Sequence, residues 1–354
     1  MDLEQYGWGD FFAQRFEPHA GAGLDPARVA VEHRCGYRVY SVHGELAAEV
    51  SGRFRHETNS AGGFPAVGDW VAVQVYPEED KAIINAVLER KTKFSRTAAG
   101  EGGEEQVLAA NIDEVFVVAA LGGEVNLRRI ERYLTLAWES GAEPVVVLTK
   151  ADLCDDVAAK VRDVRAVVHS VPVLAVSSAT GEGMDQLNAW LLAGRTGALL
   201  GPSGVGKSTL INYWCGAEVA AVQPIRESDQ KGRHTTTQRQ LICLPSGASV
   251  IDTPGMRELQ LWEGAQGLEE VFTEINTLAE SCRFADCQHE SEPDCAVRQA
   301  VENGTLDPAR LESHHKLKRE LQHFERKHNK RAQAEQRREI KSIMKSVRNF
   351  HRQR

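Results

Sequence analysis

No apolar run in this chain reaches the ~18 residues that a membrane-crossing helix needs, because polar residues interrupt every one. A helical membrane protein is thereby excluded. The opening segment, Met1 to Phe12, has neither the basic flank nor the apolar stretch of a secretory signal, so a cytoplasmic location is expected. Cysteine is scarce, seven in 354 residues, and the number is odd, which speaks against a disulfide framework and for a reducing compartment. No internal repeat is visible. What remains is ordinary for a soluble protein, with 42% hydrophobic and 26% charged residues. The length excludes a single small stapled scaffold and leaves room for two or three domains.

The formal charge of -8 hides an asymmetry. From Arg310 to Arg354 there are 15 Lys and Arg against 5 Glu, so the body before this segment is strongly acidic. A basic tail on an acidic body reaches polyanions such as RNA by counterion release, while the body discourages non-specific coating. The blander reading is a solvated helix face.

Residues 28 to 76 alternate apolar and polar at period two in short pieces punctuated by glycine, which predicts a small all-β domain, a barrel, over residues 1–95. Residues 96–110, with glycines among glutamates, show no periodicity and are expected to form a flexible linker. From Asn111 buried apolar strands alternate with amphipathic helices, the pattern of a parallel sheet with crossover helices over 111–272. Leu241–Leu244 and Ser249–Asp252 read as a hairpin. A third region, 273–354, holds a cysteine cluster and then a long basic helix that Asp307 and Pro308 begin.

Gly201-Pro202-Ser203-Gly204-Val205-Gly206-Lys207-Ser208 fits G-x-x-x-x-G-K-[ST] between the apolar Ala198-Leu199-Leu200 and the helical Thr209-Leu210-Ile211. Such a loop turns backbone N–H groups around phosphate oxygens; Lys207 would reach the β and γ phosphates and Ser208 would ligate Mg²⁺. The base is read elsewhere. In Thr149-Lys150-Ala151-Asp152 the Asp152 carboxylate can accept two hydrogen bonds from guanine that adenine does not offer, and Lys150 would lie over base and ribose. Ser177-Ser178-Ala179, after another strand, suits a backbone N–H that meets the guanine carbonyl. Asp252-Thr253-Pro254-Gly255 would hold Mg²⁺ through water at Asp252 and sense the γ-phosphate through the Gly255 N–H. Upstream, Gly232-Arg233-His234-Thr235-Thr236-Thr237 supplies a threonine for the Mg²⁺ shell; Thr236 is preferred over Thr235, and the pattern leaves the choice open. The base-reading loops at 149 and 177 precede the P-loop at 201. That order is a circular permutation of the usual GTPase, and it sends the chain from the γ-phosphate sensor straight into the cysteine cluster.

In that cluster Cys282, Cys287, His289 and Cys295 present three thiolates and one imidazole within 14 residues, a tetrahedral Zn²⁺ set with no open position and hence structural. Cys154, Cys215 and Cys243 are expected to be small buried residues.

These motifs, with Val67-Gly68-Asp69-Trp70-Val71, resemble the bacterial ribosome-small-subunit-dependent, circularly permuted GTPases over most of the chain. The resemblance implies an N-terminal OB-fold, a central domain that hydrolyses GTP with Mg²⁺ when stimulated by the 30S subunit, and a zinc domain that docks on 16S rRNA in late subunit maturation, in a monomer away from membranes. Two positions depart from the general pattern. Thr149 stands where the guanine motif usually has asparagine, and Met256 stands where many GTPases carry the glutamine that orients water. Slow intrinsic hydrolysis is expected, completed by the ribosome or by His234 beside the catalytic Lys207, Asp252 and Gly255. The competing reading is a zinc-bearing RNA-binding scaffold that senses GTP with little turnover. Arg28, His33, Arg34, Arg38, Arg53 and Arg55 are candidate RNA contacts on the barrel, against the simpler reading of solvated arginines.

Overall fold

The computed structural model describes residues 2–33, 36–58, 60–97, 105–168, 171–220, 239–252 and 265–322. His234, Thr235, Thr236, Gly255, Met256 and the basic tail beyond 322 lie outside the described residues.

The N-terminal third forms helix α1 (Asp10–Ala20) and strands β1 (Asp25–His33), β2 (Gly36–Ser41) and β3 (Gly44–Val50), then the short helix α2 (Gly52–Glu57), β4 (Trp70–Tyr76) and β5 (Lys81–Val87). The strands run in the order β1-β2-β3-β5-β4, and β4 returns to pair with β1, which closes a five-stranded barrel. Closure removes the sheet edges that would otherwise pair with other chains. Ala27, Val29, Val39, Leu46, Val71, Val73 and Ile84 fill the interior, one from every second position, as the period-two pattern requires. Outside, Phe12 and Phe16 of α1 pack on Trp70 and Leu88.

The expected linker over 96–110 is corrected at both ends. β6 (Lys93–Thr97) and β7 (Glu105–Ala110) pair antiparallel, with Phe94, Leu108 and Ala109 buried in the core of the central domain. The signal was missed because the apolar run of β7 is short and follows a glycine-rich, acidic stretch. Against this hairpin sits the Gly68 turn. Gly68 has φ +91°, and a Cβ there would stand 2.1 Å from the Ala110 carbonyl oxygen, so only glycine fits. Its neighbour Asp69 is fully buried, accepts from the Ala66 N–H and forms a two-pronged ion pair with Arg90, Nη2 to Oδ2 at 2.7 Å.

The central domain adds β8 (Glu114–Ala120), α3 (Leu127–Ser140), β9 (Glu143–Thr149), α4 (Val157–Val167), β10 (Val173–Ala175), α5 (Met184–Asn188), β11 (Thr196–Leu200), α6 (Lys207–Cys215), β12 (Gln240–Cys243) and β13 (Ser249–Asp252). β8, β9, β10, β11 and β13 are parallel, β12 is antiparallel, and the order is β10-β9-β8-β11-β13-β12. The parallel strands read as continuous apolar runs because helices cover both faces. Ile130, Leu134 and Ala137 of α3 with Val164 of α4 cover one face; Met184, Leu187, Leu210 and Ile211 of α5 and α6 cover the other. Asn126 caps α3 by accepting from the Arg129 N–H, and Gly141 in the left-handed region ends it. β12 also pairs with barrel strand β1 at Val31 and Gln240, so barrel and central sheet are continuous.

Arg28 lies at this junction. It is buried, with Nε donating to the Gly68 carbonyl, Nη1 to that of Tyr6 and Nη2 to that of Asn111. Burial lowers its pKa to about 10, with Asp113 and Asp69 nearby opposing the fall. Its candidacy as an RNA contact is therefore withdrawn: its donors join three chain segments. Arg38 and Arg53 are exposed and paired with Glu45 and Glu57.

The C-terminal region contains α7 (Ala265–Val271), α8 (Thr273–Ala279), α9 (Ala296–Glu302) and helix α10 over 308–322. Asp307 caps α10 by accepting from the Ala309 N–H at 2.8 Å. Arg310 anchors this region to α3. Its Nη1 lies 2.6 Å from Glu131 Oε1, its Nε 2.5 Å from Glu274 Oε1, and its guanidinium 4.2 Å from the Phe272 ring centroid, while Ser313 donates to the other Glu131 oxygen. Arg310 and Glu131 are both nearly inaccessible to water. Removing one partner strands the other charge in the core, so Arg310→Ala is expected to destabilise the unit by about 3–5 kcal/mol in denaturant unfolding. The apolar pair Arg310→Met with Glu131→Leu is expected to restore most of that loss.

Candidate functional site

Parallel strands deliver their chain to one side of a sheet, and ligands of open α/β sheets bind there. β9, β10, β11 and β13 end at Thr149, Ala175, Leu200 and Asp252, so the four segments picked out in the sequence emerge along the same edge. The permuted order along the chain leaves this spatial arrangement intact.

After β11 the chain turns at Gly201, Gly204 and Gly206, all in the positive-φ region. At Gly201 a Cβ would come within 2.4 Å of the Val118 carbonyl oxygen of β8, which pins the start of the loop against the sheet. Lys207 then begins α6, with Ser208 and Thr209 in its first turn, so the N-terminus of the helix adjoins the loop. The Lys207 Nζ folds back on the loop, donating to the carbonyls of Gly201 at 2.8 Å and Pro202 at 2.6 Å. Phosphate oxygens are charged acceptors and bind an ammonium more strongly than these carbonyls do.

After β9, Lys150 takes the left-handed conformation (φ +58°) and its Nζ donates to the Gly204 carbonyl at 2.8 Å, linking the Thr149–Asp152 segment to the P-loop. Ala151 donates its N–H to the Val176 carbonyl, and the Ser177 hydroxyl donates to Asp152 Oδ1 at 2.5 Å. The 177–179 turn thus holds the Asp152 carboxylate as well as offering backbone groups. Sequence reasoning gave Ser177 only the loop role, because a serine after a strand carries no sign of which side chain it meets. Thr149 is buried beneath the P-loop; Asp152 ends exposed, at the mouth of this edge. Asp252 closes β13 beside β11. The described members of the set therefore come together, and the 221–238 and 253–264 members lie outside the described residues.

The second cluster forms in the C-terminal region. The ligand atoms of Cys282, Cys287, His289 and Cys295 lie within 4.8 Å of one another. Cys282 Sγ stands 3.8 Å from Cys295 Sγ and 3.7 Å from His289 Nδ1, and Cys295 Sγ stands 3.4 Å from His289 Nδ1. Tetrahedral zinc with Zn–S of about 2.3 Å separates its sulfurs by roughly 3.8 Å, so the donor set fits one zinc. Burial lowers the His289 pKa, which keeps the imidazole in the neutral form that ligates. Burial opposes ionisation of Cys282, yet N–H groups of Val297 and Ala296 and the neighbouring thiols hold its pKa below the ordinary thiol range. Cys154 and Cys215 are half-buried and Cys243 is exposed, so the expectation of small buried cysteines is not met, and none of the three belongs to the cluster.

A family model described as RsgA GTPase matches residues 87–262, and one described as 50S ribosome-binding GTPase matches 196–332. "Small ribosomal subunit biogenesis GTPase RsgA" of Opitutus terrae is 49% identical over 329 residues, covering 90% of both chains. The protein of the same name in Streptomyces coelicolor is 47% identical over 96% of this chain and 92% of its own. Among solved structures, YjeQ from Thermotoga maritima aligns with a TM-score of 0.63 and 29% identity over 84% of this chain and 98% of that one. YloQ, described as a circularly permuted GTPase, aligns in fold with a TM-score of 0.61 at 22% identity over 84% of this chain and 95% of its own.

Two measurements check the site. Metal analysis of purified protein is expected to find about one zinc per chain, and Cys295→Ser is expected to lose it. Gly201→Ala is expected to weaken nucleotide binding at least roughly tenfold while the circular dichroism spectrum stays that of the parent, because the added methyl displaces the loop from Val118. With the permuted order of its phosphate and base loops on the page and relatives close to half identical over nine-tenths of the chain, this protein belongs to the RsgA family of circularly permuted GTPases.

Proposed function

We propose that this GTPase acts in late maturation of the small ribosomal subunit, binding 16S rRNA on the 30S particle and hydrolysing Mg²⁺-GTP faster there than in solution. The observation that carries the reading is the convergence of Lys207, Asp152 and Asp252 at one sheet edge, together with the names of the relatives, which speak of small-subunit biogenesis. In this reading Lys207 neutralises the β and γ phosphates, Ser208 and Asp252 hold Mg²⁺ directly and through water, and Thr235 or Thr236 completes its shell. Asp152, held by Ser177, accepts from the guanine N1–H and amino group, and a backbone N–H of the 177–179 turn meets the guanine carbonyl. Mg²⁺ supplies charge neutralisation of the transferring phosphoryl group. Gly255 senses the γ-phosphate, and His234 or a ribosomal group orients water where Met256 cannot. The zinc is structural, holding the C-terminal module whose basic extension meets rRNA. The protein works as a cytoplasmic monomer, with domains over 1–95, 111–272 and 273–354.

The scaffold reading, in which GTP is sensed with little turnover, is favoured by Met256 alone. Phosphate release measured with and without purified 30S subunits separates the two. Stimulation of at least roughly tenfold is expected, with Lys207→Ala abolishing it. Turnover that stays flat as 30S subunits are added would overturn the hydrolase reading.

A further inference from the structure

The base-reading loop and the P-loop leave different strands, β9 and β11, yet one buried side chain joins them. Thr149 is 3% exposed, and its hydroxyl donates to the carbonyl of Val205 in the P-loop at 2.5 Å. The Ala119 carbonyl lies farther off, at 3.3 Å. Thr149 also packs against Gly206, where a Cβ would come within 3.5 Å of its hydroxyl oxygen. A hydroxyl has a single proton to give. The short contact to Val205 takes it.

Along its Watson–Crick and Hoogsteen edges guanine presents two donor groups, N1–H and the amino group, and two acceptors, O6 and N7. Asp152 matches the donors and the 177–179 turn matches O6, which leaves N7 in need of a donor. An asparagine at 149 would carry two N–H protons on one nitrogen and could hold the loop carbonyl with one while offering the other to the base. Threonine has no second proton. We infer that Thr149 is a positioning residue that braces the P-loop against the base-reading loop, and that position 149 in consequence leaves N7 unread, so the site takes guanosine triphosphates lacking the N7 acceptor as readily as GTP. The inference deepens the guanine reading proposed above and rests on it.

The test is competition against a fluorescent GDP on the full chain with Mg²⁺, using GTP, 7-deaza-GTP and ITP, which lacks the amino group. In the parent protein GTP and 7-deaza-GTP are expected to compete within about twofold of each other, since no hydrogen bond is lost. Thr149→Asn is expected to open a gap of about fivefold in favour of GTP by restoring a donor. Thr149→Val, nearly isosteric, is expected to weaken both nucleotides alike by about five- to tenfold, and Thr149→Ser to restore both. A tenfold preference of the parent for GTP over 7-deaza-GTP would overturn the claim about N7. Unchanged affinity in Thr149→Val would overturn the brace. Should Thr149→Val lose its unfolding transition, Thr149→Ala, which also removes the hydroxyl, decides the brace by the same loss, and the Asn variant still decides the N7 point. ITP binding as tightly as GTP would instead sink the reading of guanine by Asp152, a failure visible separately from the 7-deaza comparison.

Discussion

The nucleotide site depends on how closely the chain after β11 can approach the sheet. A backbone that is to wrap phosphate must bring its N–H groups inward, and here it does so by passing within 2.4 Å, counted from an imagined Cβ at Gly201, of the Val118 carbonyl. From that point the positions of Lys207, Ser208 and the N-terminus of α6 follow, since the loop is too short to wander. The base-reading segment is then fixed to the loop rather than to the sheet alone, through Lys150 to Gly204 and Thr149 to Val205. Two hydrogen bonds thus join the segments that leave β9 and β11.

Circular permutation changes which segments are neighbours along the chain without changing which strand ends meet in space. Its consequence appears beyond β13. The C-terminal region follows the Asp252 strand in the sequence and packs on α3, where Arg310 and Ser313 hold Glu131. α3 lies between β8 and β9, and β9 ends in Thr149. The C-terminal module therefore packs on the helix that links β8 to β9. The barrel has its own tie, through Arg28 to the Asn111 carbonyl and through Gly68 against Ala110 and the Asn111 amide, so the motif around Gly68 that helped to mark the family is a joint between parts.

Much of this was legible from residue order. The P-loop, the Thr149–Asp152 segment and the cysteine cluster are spacing motifs built from residues near one another in sequence, and the structure brings the first two together at one sheet edge and gathers the four ligand atoms of the third. The parallel strands were legible because burial on both faces leaves them no polar positions, and the barrel because burial on one face imposes period two. The β6–β7 hairpin was not, since its pairing partner lies across a glycine-rich stretch that looks structureless by itself. Nor was Arg28, which local pattern cannot tell from a solvated arginine on a barrel.

The sequence by itself determined the P-loop of a GTPase and a clustered set of three cysteines and a histidine, and it raised the expectation of a carboxylate for guanine and an aspartate for magnesium, all read from side-chain type and spacing. Tertiary structure alone decided which polar groups serve as fasteners. A buried arginine, a threonine hydroxyl or a serine beside Asp152 must hydrogen-bond something once water is excluded, and the partner is whichever group the packing of distant segments brings within 3 Å.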